Sequence, residues 1–145
     1  MKEIEFYVDG RPRGKERPRH AQMPNGKIIT YTPKATKDYE AEIRKAFIYS
    51  GGVSFPDDVP LMVEATALMP IPKSASKAKA AEMESGGIPP VCKPDVDNIG
   101  KIALDALNGL AWTDDKQVTA LIVRKKYDRR GGIGRLNIRI TDISA

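Results

Sequence analysis

The segment between Pro94 and Gly109 constrains this chain more than any other. Proline disfavours helix in the residue before it, and glycine suits the position just past a helix end. Between them Ile99, Ile102, Ala103, Ala106 and Leu107 recur at helical spacing, which predicts an amphipathic helix over 96–108 with one buried stripe. Such a helix must lie on a sheet or on other helices. Its flanks supply strands: Leu61–Met69 before it, closed by Pro70 and Pro72, then 117–127 and 133–140 after it, arranged around the Gly131-Gly132 turn.

The rest of the chain follows the same logic. Glu3 to Val8 alternates, with Ile4, Phe6 and Val8 on one face, and reads as a strand. Asp9-Gly10 turns into an arm, residues 11–19, whose two prolines and glycine oppose helix. Lys27–Thr32 reads as a short strand. From Thr36, taken as an N-cap, Tyr39, Ile43, Ala46 and Phe47 predict a second amphipathic helix that stops at Gly51-Gly52. Residues 73–85 suit a short helix within an excursion, 70–92, expected to be a mobile loop. At 145 residues the chain is one domain's worth, 1–145. The expected class is α+β: a single two-layer domain with a mixed sheet of about four strands packed by two main helices.

Composition removes much chemistry. One histidine, His20, and one cysteine, Cys92, leave neither a zinc cluster nor an internal disulfide, and no Gly-x-Ser-x-Gly elbow supports a nucleophilic triad. Carboxylates must carry any catalysis, with a hard metal ion. The start, Met1-Lys2-Glu3-Ile4-Glu5-Phe6, has no apolar h-region and no run spans a membrane, so a cytoplasmic protein with no membrane partner is expected. Residues 11–19 carry +4 and residues 124–139 carry +6 in a chain of net charge +5, so the remainder is −5. Two basic segments around an acidic middle suit a protein that grips phosphates about a metal centre.

That middle is Lys93-Pro94-Asp95-Val96-Asp97-Asn98-Ile99-Gly100-Lys101, continuing to Asp105 and then Trp112-Thr113-Asp114-Asp115. Asp95 falls at the helix N-cap, and Asp97, Lys101 and Asp105 line one helix face. The helix start and the following strand start can then converge at one sheet edge, giving oxygen ligands for magnesium and a lysine to neutralise phosphate charge. A purely structural account competes with this. Aspartates cap helices, the Asp97–Lys101–Asp105 series forms a surface ion-pair ladder, and Asp114-Asp115 serve a turn.

The run K-P-D-V-D-N-I-G-K-I-A-L-D-A-L-N-G-L-A-W-T-D-D-K-Q-V resembles the signature of the RusA family of Holliday-junction resolvases. The likeness extends more loosely to the first strand, the K-E-R-P-R arm and Y-T-P-K. It implies a homodimeric endonuclease, often carried by prophages and dependent on magnesium with manganese as a substitute, that resolves four-way DNA junctions by paired nicks. By this resemblance Asp95, Asp97 and Asp115 match the metal-binding carboxylates and Lys101 the catalytic lysine. The turn before Asp114-Asp115 is one residue shorter than in the best-known resolvase pattern, and Asp115 is favoured over Asp114. Arg13, Lys15, Arg17, Arg19 and Lys93 are the expected phosphate contacts. Two other readings stand beside this one: a non-catalytic DNA-binding module, and a nuclease for flaps or replication forks.

Overall fold

The computed structural model describes residues 2–145. Strand β1 (Glu3–Asp9) buries Ile4, Phe6 and Val8, as its alternation requires. After the arm come β2 (Arg19–Gln22) and β3 (Ile28–Tyr31), then α1 (Lys34–Tyr49), β4 (Leu61–Met69), α2 (Lys77–Ser85) and α3 (Val96–Leu107). A single 3-10 turn, Asp115–Gln117, leads into β5 (Val118–Tyr127), and β6 (Arg135–Asp142) ends the chain's regular structure.

The main sheet has the order β1-β6-β4-β5, with β4 and β5 parallel and the other pairs antiparallel. It is a mixed four-stranded sheet, covered on one face by α1 and α3. The core between the layers joins Ile43 and Phe47 of α1, Ile99, Ile102 and Leu107 of α3, and Val63, Ala65 and Ile138 of the sheet. Phe6 meets Phe47 edge to face at 5.6 Å, a favoured aromatic geometry. The opposite sheet face is polar: Arg139 pairs with Glu3 and Glu5, and Arg124 with Glu64. This is the expected α+β two-layer domain.

Two local expectations change. The strands flanking Gly131-Gly132 do not pair with each other, because β4 lies between them: β6 runs antiparallel to β4, and β5 parallel to it. Parallel neighbours need a long crossover, and 70–117, including α3, supplies it. Helix α1 is entered through Pro33, not Thr36, which sits buried in the first turn with its hydroxyl unpartnered. The short helix expected within the excursion 70–92 is present as α2, capped by Ser76 Oγ at its start and Gly86 at its end. Arg130 ties it down, donating its backbone N–H to Glu84 and its guanidinium to the Lys77 carbonyl.

Helix α3 spans its expected residues, with Asp95 as N-cap and Gly109, at φ +80°, just beyond its Asn108 C-cap. Its orientation follows from the crossover. Gly100 lies where a Cβ would meet Leu121 and Val123 of β5 at 3.1 and 3.3 Å, so a small residue lets the helix sit close on the strand. Near the helix start, the Lys125 ammonium donates to the Cys92 carbonyl. Beyond the helix end, Ala111 accepts a bond from Phe55, and buried Gln117 donates to the carbonyls of Pro56 and Val59, just ahead of β4. Helix α3 therefore runs antiparallel to β5.

Candidate nucleic-acid and metal site

The start of α3 is where the functional residues gather. Asp95 occupies the N-cap position, yet its carboxylate makes no capping hydrogen bond. Asp97 follows in the exposed first turn, and Lys101 is exposed one turn on. Among the described residues neither Asp97 nor Lys101 forms an ion pair within 4 Å. The Asp97–Lys101–Asp105 ladder of the structural account is thus not made. Asp105 pairs instead with Lys15 at 3.1 Å. Two carboxylates without internal partners, beside the positive end of a helix dipole, are held there by fold rather than by local satisfaction.

The basic arm lies against this helix start. Lys15 donates its backbone N–H to the Asn98 carbonyl at 2.8 Å. Gly14 passes so close that a Cβ would fall 2.8 Å from Pro94 Cβ and 2.9 Å from Asn98 Cβ, so only glycine fits the crossing without displacement. The result is an open groove of about 590 Å³, in which Arg11, Arg13, Arg17 and Lys93 surround Asp95. Arg19 stands outside it, on β2, within 3.5 Å of Glu16. Lys15 is not the free point charge expected from sequence. Its ammonium sits 3.4 Å from nearly buried Glu40 and 3.1 Å from Asp105. Partial burial lowers the Lys15 pKa, but the Asp105 and Glu40 carboxylates outweigh it and the net shift is upward. Lys15 fastens the arm to α1 and α3.

Tyr39 packs beneath the same arm. Burial pushes its phenol up to about 12, opposed by the Arg13 backbone N–H, which lies near without making a regular hydrogen bond to the Tyr39 hydroxyl. Sequence reading missed Glu40 and Tyr39 as parts of this region. The signal available was Glu40 on the apolar side of α1, between Tyr39 and Ile43, where a carboxylate needs a partner.

The second carboxylate pair lies elsewhere. Asp114 spends one oxygen capping the 3-10 turn, accepting the Lys116 N–H at 2.9 Å. Asp115 accepts the indole N–H of fully buried Trp112 at 2.8 Å, which fixes Oδ1. Trp112 is therefore a core residue that also orients a carboxylate. The expected convergence of helix start and strand start does not occur within one chain. Helix α3 is antiparallel to β5, so Asp95 and Asp97 stand at one end of a twelve-residue helix and Asp115 follows the other, about 18 Å of helix rise apart. In agreement, no three His, Cys, Asp or Glu side chains among the described residues are placed to hold one cation.

A hard divalent ion takes oxygen ligands, and magnesium commonly uses one or two carboxylates completed by water and substrate phosphate. Asp95 and Asp97, exposed and without competing hydrogen bonds to cap or cation, suit that part. Asp115 of the same chain is too remote to join them.

A basic α+β chain with a cation-lined groove against an acidic helix start is what a protein acting on polyanionic nucleic acid requires. Residues 9–141 match the family described as Endodeoxyribonuclease RusA, which covers nearly the whole chain. The chain belongs to that family, and so to the endodeoxyribonucleases of Holliday junctions. It is also 34% identical over 151 residues to a Bacillus subtilis (strain 168) protein, uncharacterized protein YqaN, with 98% of each chain covered. Among the described residues no helix is long and apolar enough to cross a membrane.

Proposed function

We propose that this chain is a magnesium-dependent endonuclease that resolves four-way DNA junctions through paired phosphodiester hydrolysis by a homodimer. The observation that carries this reading is the groove in which Arg11, Arg13, Arg17 and Lys93 surround Asp95, with unpaired Asp97 and Lys101 on the adjoining helix face. In it Arg13, Arg17 and Lys93 hold backbone phosphates, Arg19 extends the contact along β2, and Asp95 and Asp97 present oxygens to a divalent ion, magnesium or in its place manganese. Such an ion, when bound, supplies a Lewis acid at the scissile phosphate and a more acidic water. Lys101 offers a compact charge to the phosphate as negative charge builds on its oxygens. Arg11 joins the groove's cations although its position in the arm had not singled it out.

The separation of Asp115 from Asp95 and Asp97 supports the dimer. Two copies packed with their α3 helices antiparallel across a twofold axis bring the start of one helix to the end of the other. Asp115 of the partner subunit then stands at the Asp95–Asp97 pair, and each dimer has two complete sites, one for each nick. The test is incubation with an immobile four-way junction, its matched duplex and a flap, each with magnesium or with EDTA. Symmetrical nicks confined to the junction and abolished by EDTA are expected. Junction binding without any cutting would favour a non-catalytic module, and preferential flap cutting a different nuclease.

A further inference from the structure

The hairpin β2–β3 is the part of the molecule that the domain covers least. Its strands form a separate two-stranded sheet, and every residue in them is exposed except half-buried Ala21. Ile28 is 71% exposed, and Met23, Ile29 and Tyr31 each stand at about 40%. The pairing Arg19↔Tyr31 and Ala21↔Ile29 collects one apolar face with a cation at its root. The tip is ordered locally: Met23 donates to the Lys27 carbonyl at 2.7 Å, and Gly26, at φ +84°, returns to Met23. A two-stranded ribbon alone is marginal in water, and an uncovered apolar strand face invites association. Such a face needs an occupant.

Charge names its class. From Arg17 to Lys37 the chain carries five cations and no carboxylate. A second copy would bring the same cations against the first, and like charges opposed across an interface are costly. Duplex DNA answers both properties at once. Phosphates take the cations, the major groove admits a two-stranded ribbon, and thymine methyls or unstacked bases accept apolar side chains.

We infer that β2–β3 is a DNA-contacting ribbon, whose Arg19 and Lys27 lie on phosphates and whose Met23, Ile29 and Tyr31, on one face of the ribbon, meet bases of a junction arm. This rests on the junction-nuclease reading, but names a contact element outside the groove.

The test compares two variants with wild type on a labelled immobile four-way junction, with EDTA present, across a salt series. Met23→Ser/Ile29→Ser/Tyr31→Ser keeps every cation. Its affinity should fall about tenfold or more, the scale of a lost base contact, with the slope of log K against log salt unchanged. Arg19→Ser/Lys27→Ser should lower that slope by about two. Both sets are exposed, so melting temperatures should hold. Wild-type binding of the triple variant would overturn the inference, as would a flattened salt slope in it. Loss of the dimer in sedimentation equilibrium, with affinity per dimer retained, would make the ribbon a subunit arm and also overturn it. Wild-type protein that does not prefer the junction would instead sink the functional reading itself.

Discussion

Lys101 is exposed and makes no ion pair among the described residues, so nothing in the folded chain depends on its charge. Removing it tests catalysis with little structural interference. If it meets charge that develops on the phosphate, Lys101→Ala should lose about 2–4 kcal/mol of activation free energy in single-turnover cleavage, with an unchanged melting curve. Lys101→Arg should recover only part, because a planar guanidinium does not place a compact charge at the same point. A variant that cuts at the wild-type rate would return Lys101 to the surface. Tyr39 shows the converse, a polar atom that the fold leaves unsatisfied. Tyr39→Phe removes that hydroxyl and should raise stability by about 1 kcal/mol. Its titration has a definite sign. The unfolded phenol ionises near 10 and the folded one at about 12, so the folded state binds the extra proton between them and stability falls as pH rises through that window. Wild type should therefore lose up to about 1.4 kcal/mol more per pH unit there than Tyr39→Phe, read from urea melts across the range.

The arm is the element whose placement matters most, and Lys15 is its fastener. Lys15→Met keeps the aliphatic stem but strands nearly buried Glu40, and should cost about 1–3 kcal/mol, between the limits for surface and buried pairs. Adding Glu40→Gln should restore part of it, as coupled partners do. Junction affinity should also fall, with an unchanged salt slope, because the arm loosens without losing a phosphate contact. The ion pair has an alkaline limit too: Lys15 is raised above 10.5, so its contribution is whole below that pH and is lost as pH climbs through the raised value. Elements of this kind divide what sequence shows from what it hides. Alternation at Ile4, Phe6 and Val8, and the stripe from Ile99 to Leu107, are local patterns, so β1 and α3 are legible residue by residue. Asp95 at the N-cap is legible for the same reason. Strand neighbours are not local. Periodicity assigns β5 and β6 their faces, but only the filled sheet inserts β4 between them. The direction of α3 has a separate cause: it is the return leg of the crossover between parallel β4 and β5, so it runs antiparallel to both and its start lies at the end away from Asp115. Lys15 was misread because its partners, Glu40 and Asp105, are remote in sequence and nothing within the arm announces them.

At the scale of the whole molecule, one chain holds half of each proposed site at each end of α3. This makes the dimer testable through catalysis rather than through mass. Asp97→Asn and Asp115→Asn preserve shape and remove a ligand charge, and each homodimer should be inactive while still binding the junction. If the site belongs to one chain, mixing the two variants changes nothing, since every chain carries a defect. If it is shared across the twofold, the mixed dimer behaves differently. One of its sites combines both defects, and the other combines the intact Asp95–Asp97 end of one subunit with the intact Asp115 end of its partner. Subunit exchange between the two inactive proteins should therefore restore nicking on one strand only, reaching about half of the chains in an equimolar random mixture because half of the dimers are then mixed. Full resolution by paired cuts should remain absent. The matching experiment with Asp95→Asn and Asp97→Asn is the control, because those carboxylates lie two residues apart on one helix start and always occupy the same site from one chain. In their mixed dimer both sites are defective, and no nick should appear. Silence in the Asp97–Asp115 mixture, after exchange is shown by a size tag on one variant, would return Asp115 to the chain that carries it, and restoration in the control would separate Asp95 from Asp97 instead.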